Sequence, residues 1–170
     1  SKSSFSVSEK VLRICKKFRE DQLRKKLKDA EFFSTKMFKD LLRKKSFVSR
    51  IEICPRDFNV SIFDNDYKKI NKNILSAGEK QLLVLSVIWG MIKSSKKQLP
   101  FVLDTLLGRL DLEHKNSVVT KLIPKFGEQI IILSTDSEID KNLYIKLVPY
   151  VANKYTLNYD NENQKTLIDT

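Results

Sequence analysis

The chain has 170 residues, 41% of them apolar, and its 32 Lys/Arg against 21 Asp/Glu leave a net charge of +11. That is enough apolar material for one domain with a real core, or one domain plus an appendage. No run of about 18 apolar residues occurs, which excludes a helical membrane span, and no charged-then-apolar leader pattern opens the sequence.

Residues 8–45 contain neither Gly nor Pro and are dense in Lys, Arg, Leu and Glu. Val11, Ile14, Phe18, Leu23, Leu27, Ala30, Met37, Leu41 and Leu42 recur at helical spacing, with a slip in register near Gln22. This predicts a helix about 55 Å long. Its narrow apolar stripe suits a single partner helix, as in a coiled coil, and Phe32, Phe33 and Phe38 are expected to pack on that partner. Residues 1–50 hold 16 Lys/Arg against 6 Asp/Glu, whereas the remainder holds 16 against 15. The chain therefore divides into a basic coiled-coil arm, 1–46, and a nearly neutral domain, 47–170. Lys16, Lys17, Arg19, Arg24, Lys25, Lys26, Lys28, Lys44 and Lys45 form a row suited to nucleic-acid phosphates, with salt-dependent and sequence-independent affinity. A merely solvated coiled-coil face is the alternative.

After Ser46 the texture changes. Arg50–Cys54 and Phe58–Phe63 alternate as strands about a Pro55-Arg56-Asp57 turn. Residues 79–95 form a helix that is apolar almost all round and hence buried, with Trp89 in the core. Leu99–Leu103 reads as a strand, 112–123 as a helix with His114 on its surface, Gln129–Leu133 as a strand, 137–150 as a helix and Tyr155–Tyr159 as a last strand. Alternating strands and helices with continuous apolar strands indicate an α/β fold, with a mostly parallel sheet covered on both faces. Cys15 and Cys54 fit no metal spacing and read as free thiols of a reducing cytoplasm, and a lone histidine supports no histidine-based metal site.

Three segments carry chemistry. Leu75-Ser76-Ala77-Gly78-Glu79-Lys80 precedes the apolar helix, with Ser76 and Glu79 at capping-box spacing. The backbone N–H groups of such a loop also favour an anion such as phosphate. Two central strands end in oxygen-bearing residues, Asp104-Thr105 and Ser134-Thr135-Asp136. In open α/β sheets ligands bind beyond the carboxyl ends of strands, which makes these ends a candidate nucleotide site. There Asp104 would hold Mg²⁺ through a water, since Mg²⁺ prefers oxygen ligands and keeps several waters.

The order of these motifs resembles the C-terminal lobe of an ABC-type (P-loop NTPase) ATPase head. Leu75–Gln81 is similar to the LSGGEKQ signature with Ala77 in place of a glycine, Leu103–Asp111 to a Walker B strand running into a D-loop, and Ile131–Glu138 to a switch strand and loop. The long basic helix suits the SMC-like branch, whose head lobes flank a coiled coil. More narrowly, LSAGEKQLLVLSVIWG, LPFVLDTLLGRLD and IIILSTDSEI resemble the SMC-like ATPase (DndD type) of bacterial DNA phosphorothioation. The resemblance implies ATP and Mg²⁺ as cofactors. Ser76, Ala77, Gly78 and Glu79 would meet ATP held by an opposing head, Gly108, Arg109 and Asp111 would form the D-loop, and Asp104, Thr105 and Thr135 would form the catalytic centre. It further implies a second head, DNA and other sulfur-modification proteins as partners, and a cytoplasmic, nucleoid-associated setting in a bacterium.

The sequence departs from the wider superfamily in two places. Thr105 stands where most ABC ATPases carry a glutamate, and a hydroxyl is no general base near neutral pH. Thr135 stands at the switch histidine, and Asp136 is the nearest carboxylate to compensate. No GxxxxGK[ST] loop occurs, the glycines being only Gly78, Gly90, Gly108 and Gly127. The phosphate cradle is therefore expected from an N-terminal lobe, and this chain alone should not hydrolyse ATP. An SMC-like head of DNA double-strand-break repair and a non-hydrolysing clamp are the competing readings; the Asp104-Thr105 pair speaks against the first.

Overall fold

The computed structural model describes residues 2–97, 99–127 and 129–169, with side chains from residue 8 onward apart from that of Lys45. Helix α1 spans Lys2–Leu41. It stops four residues short of the sequence expectation, where Lys45–Phe47 close a single 3-10 turn. Residues 8–22 are exposed throughout, whereas Leu27, Ala30, Ser34, Met37, Phe38 and Leu41 are buried at helical spacing. Burial along α1 thus begins near Leu27, and the second half of the helix packs into the core.

The body is built on α1 crossing α2, Ala77–Ser95. Phe38 is fully buried in this chain's own core and Phe33 meets Trp89 edge-on at 6.0 Å, so only Phe32 remains exposed for an outside partner. The Trp89 indole donates to the Lys125 carbonyl at 2.9 Å, which settles the one polar atom of a core residue. The two helices are in close contact at Gly90. A Cβ there would stand 2.1 Å from Ser34 Oγ and 2.7 Å from the Ala30 carbonyl oxygen.

Strands β1 (Arg50–Ile53), β2 (Val60–Phe63) and β3 (Lys69–Ile70) form an antiparallel sheet. The outer edge of β1 is closed by α1: Ile51 N–H donates to Thr35 Oγ1 at 2.9 Å and Ile53 N–H to Glu31 Oε1 at 2.7 Å. Two residues apart on the strand match four apart on the helix, so an edge that would otherwise recruit another strand is satisfied locally.

β4 (Phe101–Asp104) and β5 (Ile130–Leu133) pair in parallel, in register from Phe101↔Ile130 to Asp104↔Leu133. The fold is α/β, but the expected mostly parallel sheet, covered on both faces, is not what forms. Among the described residues the parallel sheet has two strands, β4 and β5, joined by a helical crossover; β1–β3 and β6–β7 pair antiparallel among themselves. Phe101, Leu103, Ile130 and Ile132 face the core; Val102, Ile131 and Leu133 are 60%, 45% and 46% exposed on the opposite face.

The crossover is α3 (Leu112–Ser117), continued by a π-helical turn at Val118–Leu122 and a 3-10 turn at Ile123–Lys125. Helix α4 spans Lys141–Leu147 and not 137–150, since the N–H groups of Glu138 and Ile139 turn back onto the Thr135 carbonyl before Asp140 caps the helix. β6 (Thr156–Asp160) and β7 (Lys165–Asp169) close the chain as an exposed hairpin, whose second strand the sequence reading missed. Among the described residues no helix is long and apolar enough to cross a membrane.

Ala ordinarily stabilises a helix relative to Gly by about 1 kcal/mol. At Gly90 the sign should reverse: Gly90→Ala is expected to cost about 1–3 kcal/mol in a urea melt, because the added methyl must force α1 off α2.

Candidate functional site

Ser76 is the N-cap of α2. Its Oγ accepts from Glu79 N–H at 3.1 Å, and the Glu79 carboxylate accepts from Ser76 N–H at 2.8 Å, a reciprocal box that holds the loop in place. Ser76 and Ala77 remain exposed. Gly78 is buried, and a Cβ there would meet Arg109 O, Leu110 Cδ2 and His114 Nδ1 at ordinary contact distances of 3.6–3.7 Å. Neither a positive φ nor a clash within this chain requires glycine at that position.

The same contacts join this loop to the segment after β4. Gln81 Nε2 donates to the Leu106 carbonyl, from the first turns of α2. Asp111, expected in the D-loop, caps α3 by accepting from His114 N–H at 2.8 Å, and it meets the His114 imidazole at 3.1 Å. His114 is therefore buried at 4% exposure and not on the surface, because its ring is the wedge between the Asp111 cap and Gly78. The Arg43 guanidinium, two residues past the end of α1, reaches Asp111 and Glu113 at 3.3 Å each. The His114 N–H, then the His114 ring and Arg43, hold the Asp111 carboxyl below the usual carboxylate range. Arg109 is exposed and forms no ion pair among the described residues.

Asp104 ends β4 directly opposite Leu133, so Thr105 and Ser134 leave adjacent strand ends, and Thr105 N–H donates to the Leu133 carbonyl at 3.1 Å. Asp104 is exposed and receives a hydrogen bond from Thr105 Oγ1 at 3.0 Å. Thr105 has φ +52°, a left-handed conformation that costs a β-branched residue about 1–3 kcal/mol. Beyond β5, Thr135 Oγ1 and Ser137 Oγ lie 2.9 Å apart, and Asp136 is exposed. Lys115 Nζ, from α3, donates to the Glu138 carbonyl at 2.9 Å and fixes this turn.

One group was missed from sequence. Glu138 is 5% exposed, and neither carboxylate oxygen has a hydrogen-bond partner. A sequence shows a glutamate before a helix; it does not show that the side chain folds inward, and an acidic residue three places beyond a threonine is too common to signal it.

For Mg²⁺ the donor chemistry fits at Asp104, an exposed carboxylate at a strand end; no group of three His, Cys, Asp or Glu side chains gathers among the described residues. Such a site suits an ion that keeps its waters and takes its other ligands from phosphate. Away from these strand ends, Lys16, Lys17, Arg19, Arg24, Lys25, Lys26, Lys28 and Lys44 are all exposed, and none forms an ion pair among the described residues. The Lys45 side chain lies outside the described residues.

No family model and no curated protein matches the sequence. Solved structures do match. A structure from the structural biochemistry of ATP-driven dimerisation and DNA-stimulated activation of SMC ATPases aligns with TM-score 0.62 and 15% identity, over 88% of each chain. The Smc head domain with a coiled coil and joint from Pyrococcus yayanosii aligns with TM-score 0.67 and 16% identity, over 97% of this chain and 31% of that one. The Pyrococcus furiosus Smc head with an extended coiled coil, bound to the C-terminal domain of ScpA, aligns with TM-score 0.65 and 13% identity, over 95% and 40%. The chain thus spans less than half of these last two. Its fold is that of an SMC head lobe with the helix that leads from it.

The Asp111 cap has a pH signature. A carboxyl whose folded value is depressed stabilises the fold above its unfolded value, about 3.9, and loses that contribution as pH falls through the folded value. Asp111→Ala should cost about 1 kcal/mol at pH 7. Asp111→Asn, which can still cap, should cost less and should flatten the loss of stability below pH 4, followed by denaturation at several pH values.

Proposed function

We propose that this chain is the C-terminal part of an SMC-like, ABC-type ATPase head that acts on DNA, serving DNA sulfur modification (phosphorothioation). The observation that carries the reading is the loop Ser76–Glu79. Ser76, Ala77 and Gly78 are small, this chain's own packing leaves room for a Cβ at Gly78, and Ser76 and Ala77 are presented to the outside. Small residues leave the backbone open to close approach from outside, and a capped helix N-terminus behind them suits the γ-phosphate of ATP. Asp104, Thr105 and Thr135 lie at the ends of the neighbouring parallel strands, where the nucleotide of the chain's own head would sit.

Several features support the incompleteness of this lobe. The open face of Val102, Ile131 and Leu133 is apolar surface that an N-terminal lobe would cover while bringing the phosphate loop. Val11, Leu12, Ile14 and Phe18 form an exposed stripe that suits a second coiled-coil helix. Mg²⁺, held at Asp104 through water, would neutralise charge on the β- and γ-phosphates. In this reading Gly108, Arg109 and Asp111 border the junction with the second head, and the partners are that head, DNA and the proteins of sulfur transfer, in the bacterial cytoplasm. Thr105 and Thr135 favour the sulfur-modification branch over a repair head. They are also what a non-hydrolysing clamp would carry, and steady-state ATP turnover by the full-length protein separates these two.

Ser76→Arg in the full-length protein should abolish ATP-driven dimerisation while leaving nucleotide binding to a single head largely intact. If the loop is only a cap, the substitution will cost about 1 kcal/mol in a thermal melt and dimerisation will survive. Sulfur in the DNA backbone, measured by mass spectrometry, should disappear from cells lacking the protein.

Reversing the charge of Lys25, Lys26 and Lys28 should weaken DNA binding for every sequence alike and reduce its salt dependence. Equal affinity before and after the change would leave the helix as a stem with no part in DNA contact.

A further inference from the structure

Thr105 leaves the candidate site without a carboxylate directly after Asp104. Asp136 is exposed in the switch turn, with nothing orienting it among the described residues. Glu138 is different in kind. Its carboxylate is buried, with both oxygens unbonded. A buried carboxylate kept for structure is held by an ion pair or by hydrogen bonds, because its desolvation is otherwise uncompensated. The nearby cation, Lys115, does not serve it, since its ammonium is spent on the backbone carbonyls of Ser137 and Glu138.

The carboxylate points into the segment after β4. A Cβ on Gly108 would stand 2.8 Å from Glu138 Oε1 and 3.5 Å from Thr105 Cγ2, so Glu138 and Thr105 are neighbours across a position with no side chain. The cover over the carboxylate is thin, because Gly108 and Thr105 are themselves exposed. Both oxygens are closed to solvent here, so water meets this unpaired acceptor, beside the strand end that carries Asp104, when the Gly108 segment above it shifts.

We propose that Glu138, reaching past Gly108, is the general base that Thr105 cannot be; this rests on the ATPase reading above. A water attacks the γ-phosphorus of ATP and gives its proton to the Glu138 carboxylate. The new P–O bond forms as the bond to the β,γ-bridging oxygen breaks, ADP leaves with that electron pair, and phosphate is the second product. Glu138 returns the proton to solvent when the products depart.

The test uses the full-length protein with DNA and ATP. Glu138→Gln keeps the shape and removes the base. It should lower ATP turnover at least about 100-fold, while ATP binding and ATP-driven dimerisation persist and the dimer survives gel filtration longer than wild type. Gly108→Ala, which displaces the carboxylate, should lower turnover by about tenfold while ATP-driven dimerisation persists, and that pair of readouts decides the matter if Glu138→Gln melts early. Turnover within twofold of wild type in the variant that folds overturns the proposal, as does a collapse caused by Asp136→Asn and not by Glu138→Gln. A wild-type protein that neither dimerises with ATP nor hydrolyses it would overturn the ATPase reading itself, a result distinct from a Glu138→Gln variant that dimerises and stalls.

Discussion

The close approach of α1 to α2 at Gly90 is the contact on which the rest of the molecule depends. With Ala30 and Ser34 on one helix and glycine on the other, the backbones meet where any larger pair would hold them apart. The same turns of α1 that accept Gly90 send Glu31 and Thr35 to the edge of β1, so one stretch of helix fixes both the second helix and the antiparallel sheet. Burial of the Ser34 hydroxyl with no hydrogen-bond partner is the cost of that fit.

From this junction α2 runs to its N-terminus at Ala77, where the loop in front of it and the segment after β4 behave as one packed piece. Gly78 against Arg109, Leu110 and His114, and Gln81 against the Leu106 carbonyl, link the two. A displacement of one is felt by the other, which is the coupling that a site assembled from separate loops needs. The strained Thr105 and the unpaired Glu138 lie beside the same segment, so two features with an unfavourable local energy meet at the strand ends.

How much of this the sequence revealed follows from the range of each interaction. The capping box at Ser76 and Glu79 is a contact between residues three apart, and its spacing alone identified it. The β4–β5 pairing was legible because a strand, a helix and a strand allow few arrangements. The fate of α1 was not: an apolar stripe looks the same whether it meets a partner's helix or the chain's own, and only the small residues Ala30, Ser34 and Gly90, read together across 60 positions, would have told them apart. His114 was misjudged for a similar reason, since the burial of a histidine is decided by neighbours distant in sequence. Continuous apolar strands suggested cover on both faces, although that pattern says a face should be covered and not which residues cover it.

The long first helix also has a mechanical aspect. Taken about a pivot at Ala30, the segment out to residue 8 measures about 33 Å and the buried segment to Leu41 about 16 Å, at 1.5 Å per residue. It is a lever with a ratio of about two to one. A sideways displacement of the exposed tip arrives at the body with its travel halved and its force doubled, and it meets the Gly90 seat and the two bonds to the β1 edge. A sideways load on the arm is therefore delivered to the helix whose opposite end carries Ser76, with no hinge glycine or proline in α1 to absorb it.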